Sequence, residues 1–244
     1  MKETKNEREN LKQIRAVLFD LDGTIIDSEE GITKCVQYAL RSFGIDEPDR
    51  TKLKCFIGPP LEPVFQERYG MTKEQAWQAV GKYRERFDVK GIFECCLYAH
   101  VRDVIANLHE KGYVVALASS KPETACKRIL EHFDLTPYFD EIVGSTLDGS
   151  ISTKEEVLLE LCRRMAYRKD RQACSEKQVQ ICRDEMCLIG DTKYDAIGAT
   201  AVGIRCIGVG YGFGIREELL AAGAEVVFDD IREVESYIEN NKRL

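Results

Sequence analysis

The chain has 244 residues, 44% of them hydrophobic and 32% charged, with a formal net charge of −7. Such a chain can bury a sizeable core, and its acidity argues against a broad nucleic-acid or anionic-membrane surface. The longest stretch without Asp, Glu, Lys or Arg is the ten residues Cys206–Ile215, far short of a bilayer span. An anionic substrate would therefore need local positive charge, from a metal or from a few placed lysines.

Residues 1–13 are charged throughout, carry no apolar signal-peptide core, and read as a lead-in to the first strand. The ten cysteines include no C-x-x-C, and Cys174, Cys182 and Cys187 match no usual zinc spacing, so thiols in a reducing, cytoplasmic setting are expected. The apolar run Ile14–Leu21 predicts a buried strand that delivers Asp20 and Asp22, followed at once by Gly23 and Thr24. Two carboxylates this close raise each other's pKa and oppose folding unless a cation or a proton sits with them.

About ninety residues separate this strand from the next, where a crossover helix needs a dozen or so. The surplus has its own helical periodicity. Ile32, Cys35, Val36, Ala39 and Leu40 share one face, as do Ala76, Ala79, Val80, Tyr83 and Phe87. Between them the prolines of FIGPPLEP, Phe56–Pro63, read as interrupting any regular helix or central strand. Residues 29–97 are thus expected to form an inserted helical domain, within a core of 14–28 and 98–244.

The core then alternates. Helical patterns over Val101–Leu108, Cys126–Phe133 and Val157–Met165 separate apolar runs at Tyr113–Ser119, Glu141–Gly144, Met186–Gly190, Arg205–Val209 and Glu225–Phe228. Continuous rather than alternating runs belong to strands buried on both faces, so the fold class is α/β, a doubly wound, mostly parallel, Rossmann-like sheet. Tyr167–Asp184 is polar and reads as a surface loop or an extended helix end.

Ligands of such sheets bind beyond the carboxyl ends of the strands. There the chain places Asp20, Asp22, Gly23 and Thr24; then Ser119, Ser120 and Lys121; then Lys154 behind the hydroxyls of Ser152 and Thr153; then Asp191 and Asp195 of GDTKYD. Four carboxylates, hydroxyls and lysines thus gather at one edge. The glycine-rich GVGYGFG, Gly208–Gly214, does not satisfy G-x-G-x-x-G, and no P-loop, G-x-S-x-G or H-E-x-x-H occurs.

DLDGT at Asp20, the serine of the second loop, the lysine after the third strand and GDxxxD at Gly190 together resemble the haloacid-dehalogenase-like superfamily. FIGPPL, YRERF, ASSKPE and GYGFGIREELLAAGAEVVF are similar to its phosphoglycolate-phosphatase-like branch, and especially to 5'-nucleotidase-like members. The resemblance implies a Mg²⁺-dependent phosphatase of small phosphorylated metabolites, with residues 29–97 as a mobile cap. It implies that Asp20 is the nucleophile and Asp22 the general acid and base. Mg²⁺ would lie on the Asp20 carboxylate, the Asp22 backbone carbonyl and Asp191, and Ser119 and Lys154 on the phosphoryl oxygens. Asp195 would support the metal waters or orient Lys154. Gly23, Thr24, Ser120 and Lys121 would line the phosphate side, and Gly58, Pro59, Tyr83 and Arg84 the organic side. Phosphoglycolate is the first expectation and a nucleoside 5'-monophosphate the alternative. A sugar-phosphate mutase, or a silent binding protein, fits the intact loops less well.

Overall fold

The computed structural model describes residues 13–171, with side chains to 166, and residues 182–240. Most of the lead-in 1–13 and most of the polar stretch 167–184 lie outside the described side chains; the backbone of the latter is helical as far as Arg171. Among the described residues no helix is long and apolar enough to cross a membrane. The chain divides into two compact units, one taking in the chain to Ile25 and from Tyr98 onward, the other Ile26–Leu97.

The first unit is built on six parallel strands: β1 (Ala16–Phe19), β4 (Val114–Pro122), β5 (Glu141–Ser145), β6 (Met186–Gly190), β7 (Arg205–Val209) and β8 (Val226–Phe228). Their order is β5-β4-β1-β6-β7-β8. The chain runs outward from β1 on one side, returns, and runs outward again from β6. The switch point of the sheet therefore falls between β1 and β6, where an open α/β sheet leaves its crevice.

Along each strand alternate residues face opposite ways, and both sets are buried. Ala16, Leu18, Ala116, Ala118, Leu188 and Cys206 join a core with Val157, Leu158 and Leu161 of α6 (Lys154–Arg171), Ala196, Ala199 and Val202 of α7 (Lys193–Val202), and Leu219 of α8 (Arg216–Ala221). Val17, Phe19, Val115, Leu117, Cys187 and Ile189 are equally buried. Helices α4 (Val101–Glu110), α5 (Glu123–His132) and α9 (Ile231–Asn240) supply Val104, Ile105, Leu108, Cys126, Ile129, Leu130, Val234 and Ile238. Each such aliphatic side chain contributes roughly 1.5–3 kcal/mol of burial.

The second unit packs α1 (Glu29–Arg41) and α2 (Leu61–Tyr69) on α3 (Lys73–Phe87). A capping box opens α3, with Thr72 Oγ1 accepting from Gln75 N and Gln75 Oε1 from Thr72 N. Phe56 and Phe65 rings lie 4.7 Å apart, and Tyr83 stacks on Phe87 at 5.3 Å. FIGPPLEP is only partly irregular, because α2 begins at Leu61 and takes Pro63 into its first turn. A first-turn N–H has no intrahelical acceptor, so proline is tolerated there. The unit begins and ends on a ribbon too short to show in the periodicity: β2 (Ile26–Asp27) pairs antiparallel with β3 (Cys96–Leu97). That pairing moves the division to Ile25/Ile26, ahead of the sequence boundary at Glu29.

Candidate active site

β1 is fully buried, and Asp20 continues its ladder, donating its N–H to Ile189 O at 2.9 Å. The chain then turns tightly, with Thr24 N and Ile25 N both donating to Leu21 O. Gly23 makes the turn at φ +81°, and a Cβ there would lie 2.1 Å from Asp191 Oδ2. Glycine is therefore demanded twice, by conformation and by contact. Thr24 is buried; its Oγ1 donates to Asp191 Oδ1 at 3.4 Å and its carbonyl accepts from Tyr211 Oη at 2.9 Å.

Lys154 stands at the start of α6, which is capped by Thr153 Oγ1 accepting from Glu156 N and by Glu156 accepting from the Ser152 and Thr153 amides. The residue is only 6% exposed, and its ammonium donates to Asp20 Oδ1 at 2.7 Å and Ala118 O at 2.8 Å and pairs with Asp195 Oδ1 at 2.8 Å. Burial alone would lower its pKa, but the charges of Asp195 and Asp20 outweigh that and raise it. Burial pushes the Asp20 carboxyl up to about 6, against the pull of Lys154.

Asp191 follows β6 and Asp195 follows one turn into α7, where it accepts from Thr192 N at 3.0 Å and Thr192 Oγ1 at 2.9 Å in a capping box. Thr192, not Asp191, is the helix cap, which leaves Asp191 to the crevice. Asp191 Oδ2 accepts from Phe213 N at 2.7 Å. Burial, then the charges of Asp195 and Asp20, hold the Asp191 carboxyl well above the usual range.

The loop after β7 was missed as part of this site. A Cβ on Gly212 would lie 2.4 Å from Asp191 Oδ2, and one on Gly214 would lie 2.0 Å from Asp191 O. Glycine at every second position from Gly208 to Gly214 was the available signal: it marks one side of a loop pressed against another backbone. The same run satisfies no dinucleotide fingerprint, and its resemblance to the family's segment assigns it no role in the site.

Asp22 points elsewhere. Its Oδ2 lies 2.8 Å from Lys121 Nζ, and its Oδ1 is buried without a hydrogen-bond partner among the described residues. Ser119 is 2% exposed and accepts from Lys121 N at 3.3 Å, while Ser120 is half-buried. Neither serine caps α5, whose cap is Pro122 with no side-chain bond. The remaining candidates belong to the second unit. Gly58 turns at φ +99°, Pro59 follows it in the chain, Arg84 is exposed on α3, and Tyr83 is buried in that unit's own core.

One carboxylate oxygen each from Asp20, Asp191 and Asp195 lies within 4.8 Å of the others, all three residues buried around a single ammonium. Three acids against one lysine leave excess negative charge, and an all-oxygen donor set suits a hard divalent cation. The side chain of Asp22 is outside this cluster, so only its backbone could contribute.

The chain matches the haloacid dehalogenase-like hydrolase family over residues 17–209. It is 42% identical over 206 residues to a 5'-nucleotidase of Pseudomonas aeruginosa, covering 84% of this chain and 86% of that protein. It is 30% identical over 222 residues to tyrosine-protein kinase PtkA of Mycobacterium tuberculosis, covering 89% and 71%, and 26% identical over 231 residues to a Haemophilus influenzae phosphoglycolate phosphatase, covering 91% and 97%. A predicted phosphatase from Clostridium acetobutylicum superposes with a TM-score of 0.84 at 41% identity, over 94% of this chain and 100% of that one. With its six-stranded parallel sheet, its carboxylates at the switch point and these relatives, the chain belongs to the haloacid dehalogenase-like hydrolase family.

Proposed function

We propose that the protein is a Mg²⁺-dependent phosphatase of small phosphomonoesters that works through an aspartyl-phosphate on Asp20. The observation that carries this reading is the buried set of Asp20, Asp191 and Asp195 around Lys154, beside an Asp22 with one oxygen unpartnered among the described residues. Asp20, Asp191 and the Asp22 carbonyl would hold the ion. When bound, Mg²⁺ supplies positive charge that offsets the carboxylates and the phosphoryl oxygens.

In the first step an Asp20 carboxylate oxygen forms a bond to phosphorus as the bond to the ester oxygen breaks. Asp22 gives its proton to the departing oxygen. In the second step the Asp22 carboxylate takes a proton from water, whose oxygen attacks phosphorus; the bond to Asp20 breaks and phosphate leaves. Lys154 and Ser119 neutralise and hold the phosphoryl oxygens. Asp195, tied to Thr192 and Lys154, keeps that ammonium in place.

These loops handle phosphate and metal, which every candidate substrate shares, so selection among organic groups falls to residues 26–97. The 42% identity to the P. aeruginosa 5'-nucleotidase favours a nucleoside 5'-monophosphate over phosphoglycolate. The test is phosphate release from both, with Mg²⁺ added or chelated, in the wild type and in Asp20→Asn. Activity only with Mg²⁺, lost in Asp20→Asn, is expected. Substantial turnover by Asp20→Asn, or in excess chelator, overturns the mechanism.

A further inference from the structure

We propose that Lys121 is a positioning residue that acts through Asp22, holding one carboxylate oxygen so that the other, Oδ1, is presented for proton transfer. The inference rests on the reading of Asp22 as general acid and base, and departs from the expectation that Lys121 binds substrate phosphate.

The two lysines of the site divide between the two aspartates of DLDGT. Lys154 meets Asp20 and Asp195, while Lys121 Nζ lies 2.8 Å from Asp22 Oδ2. This is no solvent-screened surface pair: the Lys121 side chain is 8% exposed and that of Asp22 14%. Among the described residues the contact leaves Oδ1 buried and without a hydrogen-bond partner. A buried carboxylate oxygen is rarely left so unless something else comes to it. On the proposed reaction that visitor is the leaving oxygen, and then water.

The backbone under Lys121 is held from three sides. The register of β4 on β5 shifts between Ala118 and Pro122, so Ser119–Lys121 bulge out of the ladder, a device that re-aims side chains beside active sites. Lys121 N donates to Ser119 Oγ at 3.3 Å, and Cys126 Sγ donates to Lys121 O at 3.5 Å. Gly144 comes so close that a Cβ on it would lie 2.6 Å from Lys121 O. A side chain mounted this firmly can fix the carboxylate it grips. An Asp22 without that grip samples rotamers that do not face the reacting oxygen.

The experiment measures kcat/KM, which reports the transfer to Asp20, for a nucleoside 5'-monophosphate and for p-nitrophenyl phosphate. The proteins are the wild type, Lys121→Met, Asp22→Asn and the double variant, with thermal unfolding as the folding check and Lys121→Gln in reserve should Lys121→Met fail to fold. General acid catalysis is typically worth ~10²–10⁴-fold, and its misplacement should forfeit ~10–100-fold of that. Lys121→Met should lose this much on the nucleotide, whose alkoxide leaves poorly, and at most about threefold on the aryl ester, which needs little acid. In the Asp22→Asn background Lys121→Met should change either value by less than about threefold, since a residue acting through another has nothing left to act on. Equal losses on both esters would mean that Lys121 holds phosphate, and additive losses in the double variant would mean that it acts independently; either overturns the proposal. Should Asp22→Asn itself lose equally on both esters, the acid-base reading of Asp22 falls, an outcome seen separately from the Lys121 single variant.

Discussion

Replacing Asp191 by Asn should make the metal-free protein more stable while abolishing its stabilisation by Mg²⁺. Three carboxylate oxygens lie within 4.8 Å of one another, so three like-charge pairs compete with the two contacts of Lys154 at 2.7 and 2.8 Å. At an effective dielectric of ~20, each like pair at that separation costs about 3.5 kcal/mol and each lysine contact returns about 6. Asn removes two of the three repulsions, about 7 kcal/mol at that separation. The substitution also removes the attraction of the Asp191 carboxylate to Lys154, which offsets much of that repulsion, and a gain of ~1–3 kcal/mol is expected. The substitution keeps the geometry, since the amide oxygen still accepts from Phe213 N and the amide nitrogen can donate to Thr24 Oγ1. For a chain of this size the gain corresponds to a Tm rise of roughly 3–10 °C in chelator. Wild-type protein should gain about 2.7 kcal/mol at Mg²⁺ a hundredfold above its Kd, and the variant almost none. Thermal unfolding near pH 7, with chelator and with Mg²⁺, reads both effects. An Asn variant no more stable than wild type in chelator, or one that keeps the full Mg²⁺ shift, refutes the reasoning.

Gly23→Ala would drive its Cβ to 2.1 Å from Asp191 Oδ2 at a positive φ, so phosphate release should fall at least tenfold and the Mg²⁺-induced Tm shift should shrink; a variant with wild-type values of both would mean the turn relaxes freely. Glu160, held down to about 2 by Arg163 and then Arg164, has a folded pKa below its unfolded value. Its contribution is therefore present above about pH 4.5 and is lost as pH falls towards 2. Glu160→Gln should cost ~0.5–1 kcal/mol at neutral pH and nothing near pH 2 in denaturant melts, and a pH-independent difference would contradict the ion-pair account. Arg84→Ala and Pro59→Ala should change the ratio of kcat/KM between nucleoside 5'-monophosphate and phosphoglycolate more than fivefold; equal proportional losses on both would show that the inserted unit does not select.

The strand ends were readable because a buried parallel strand is a continuous apolar run, and an Asp where the run stops has no packing reason to be there. Asp20 and Asp191 are legible at one edge on that ground and Lys154 by its place at the mouth of the helix after the third core strand, and the structure sets Lys154 2.7 Å from Asp20. Which lysine meets which aspartate was not readable. That depends on the irregularity between Ala118 and Pro122, which turns Lys121 towards Asp22 and leaves no compositional mark. The role of Gly212 and Gly214 is hidden for a related reason, since their close contact with Asp191 joins the loops after two different strands. Tyr83 shows the converse: its helical spacing with Phe87 announced a packed face, and it stacks on Phe87 inside its own unit.

The two-residue ribbon that pairs Ile26 with Leu97 and Asp27 with Cys96 has a consequence for inheritance. The entry and exit of the inserted unit are neighbouring strands, about 4.8 Å apart, so the insertion occupies the position of a hairpin turn. A long or a short segment can be spliced there at little difference in loop-closure entropy, since doubling a loop adds only about 0.6 kcal/mol. The strand-end carboxylates and lysines of the first unit and residues 26–97 can therefore diverge at independent rates. An exchange of the insert between relatives is a single splice at Ile26 and Leu97, and leaves every carboxylate and lysine of the first unit untouched.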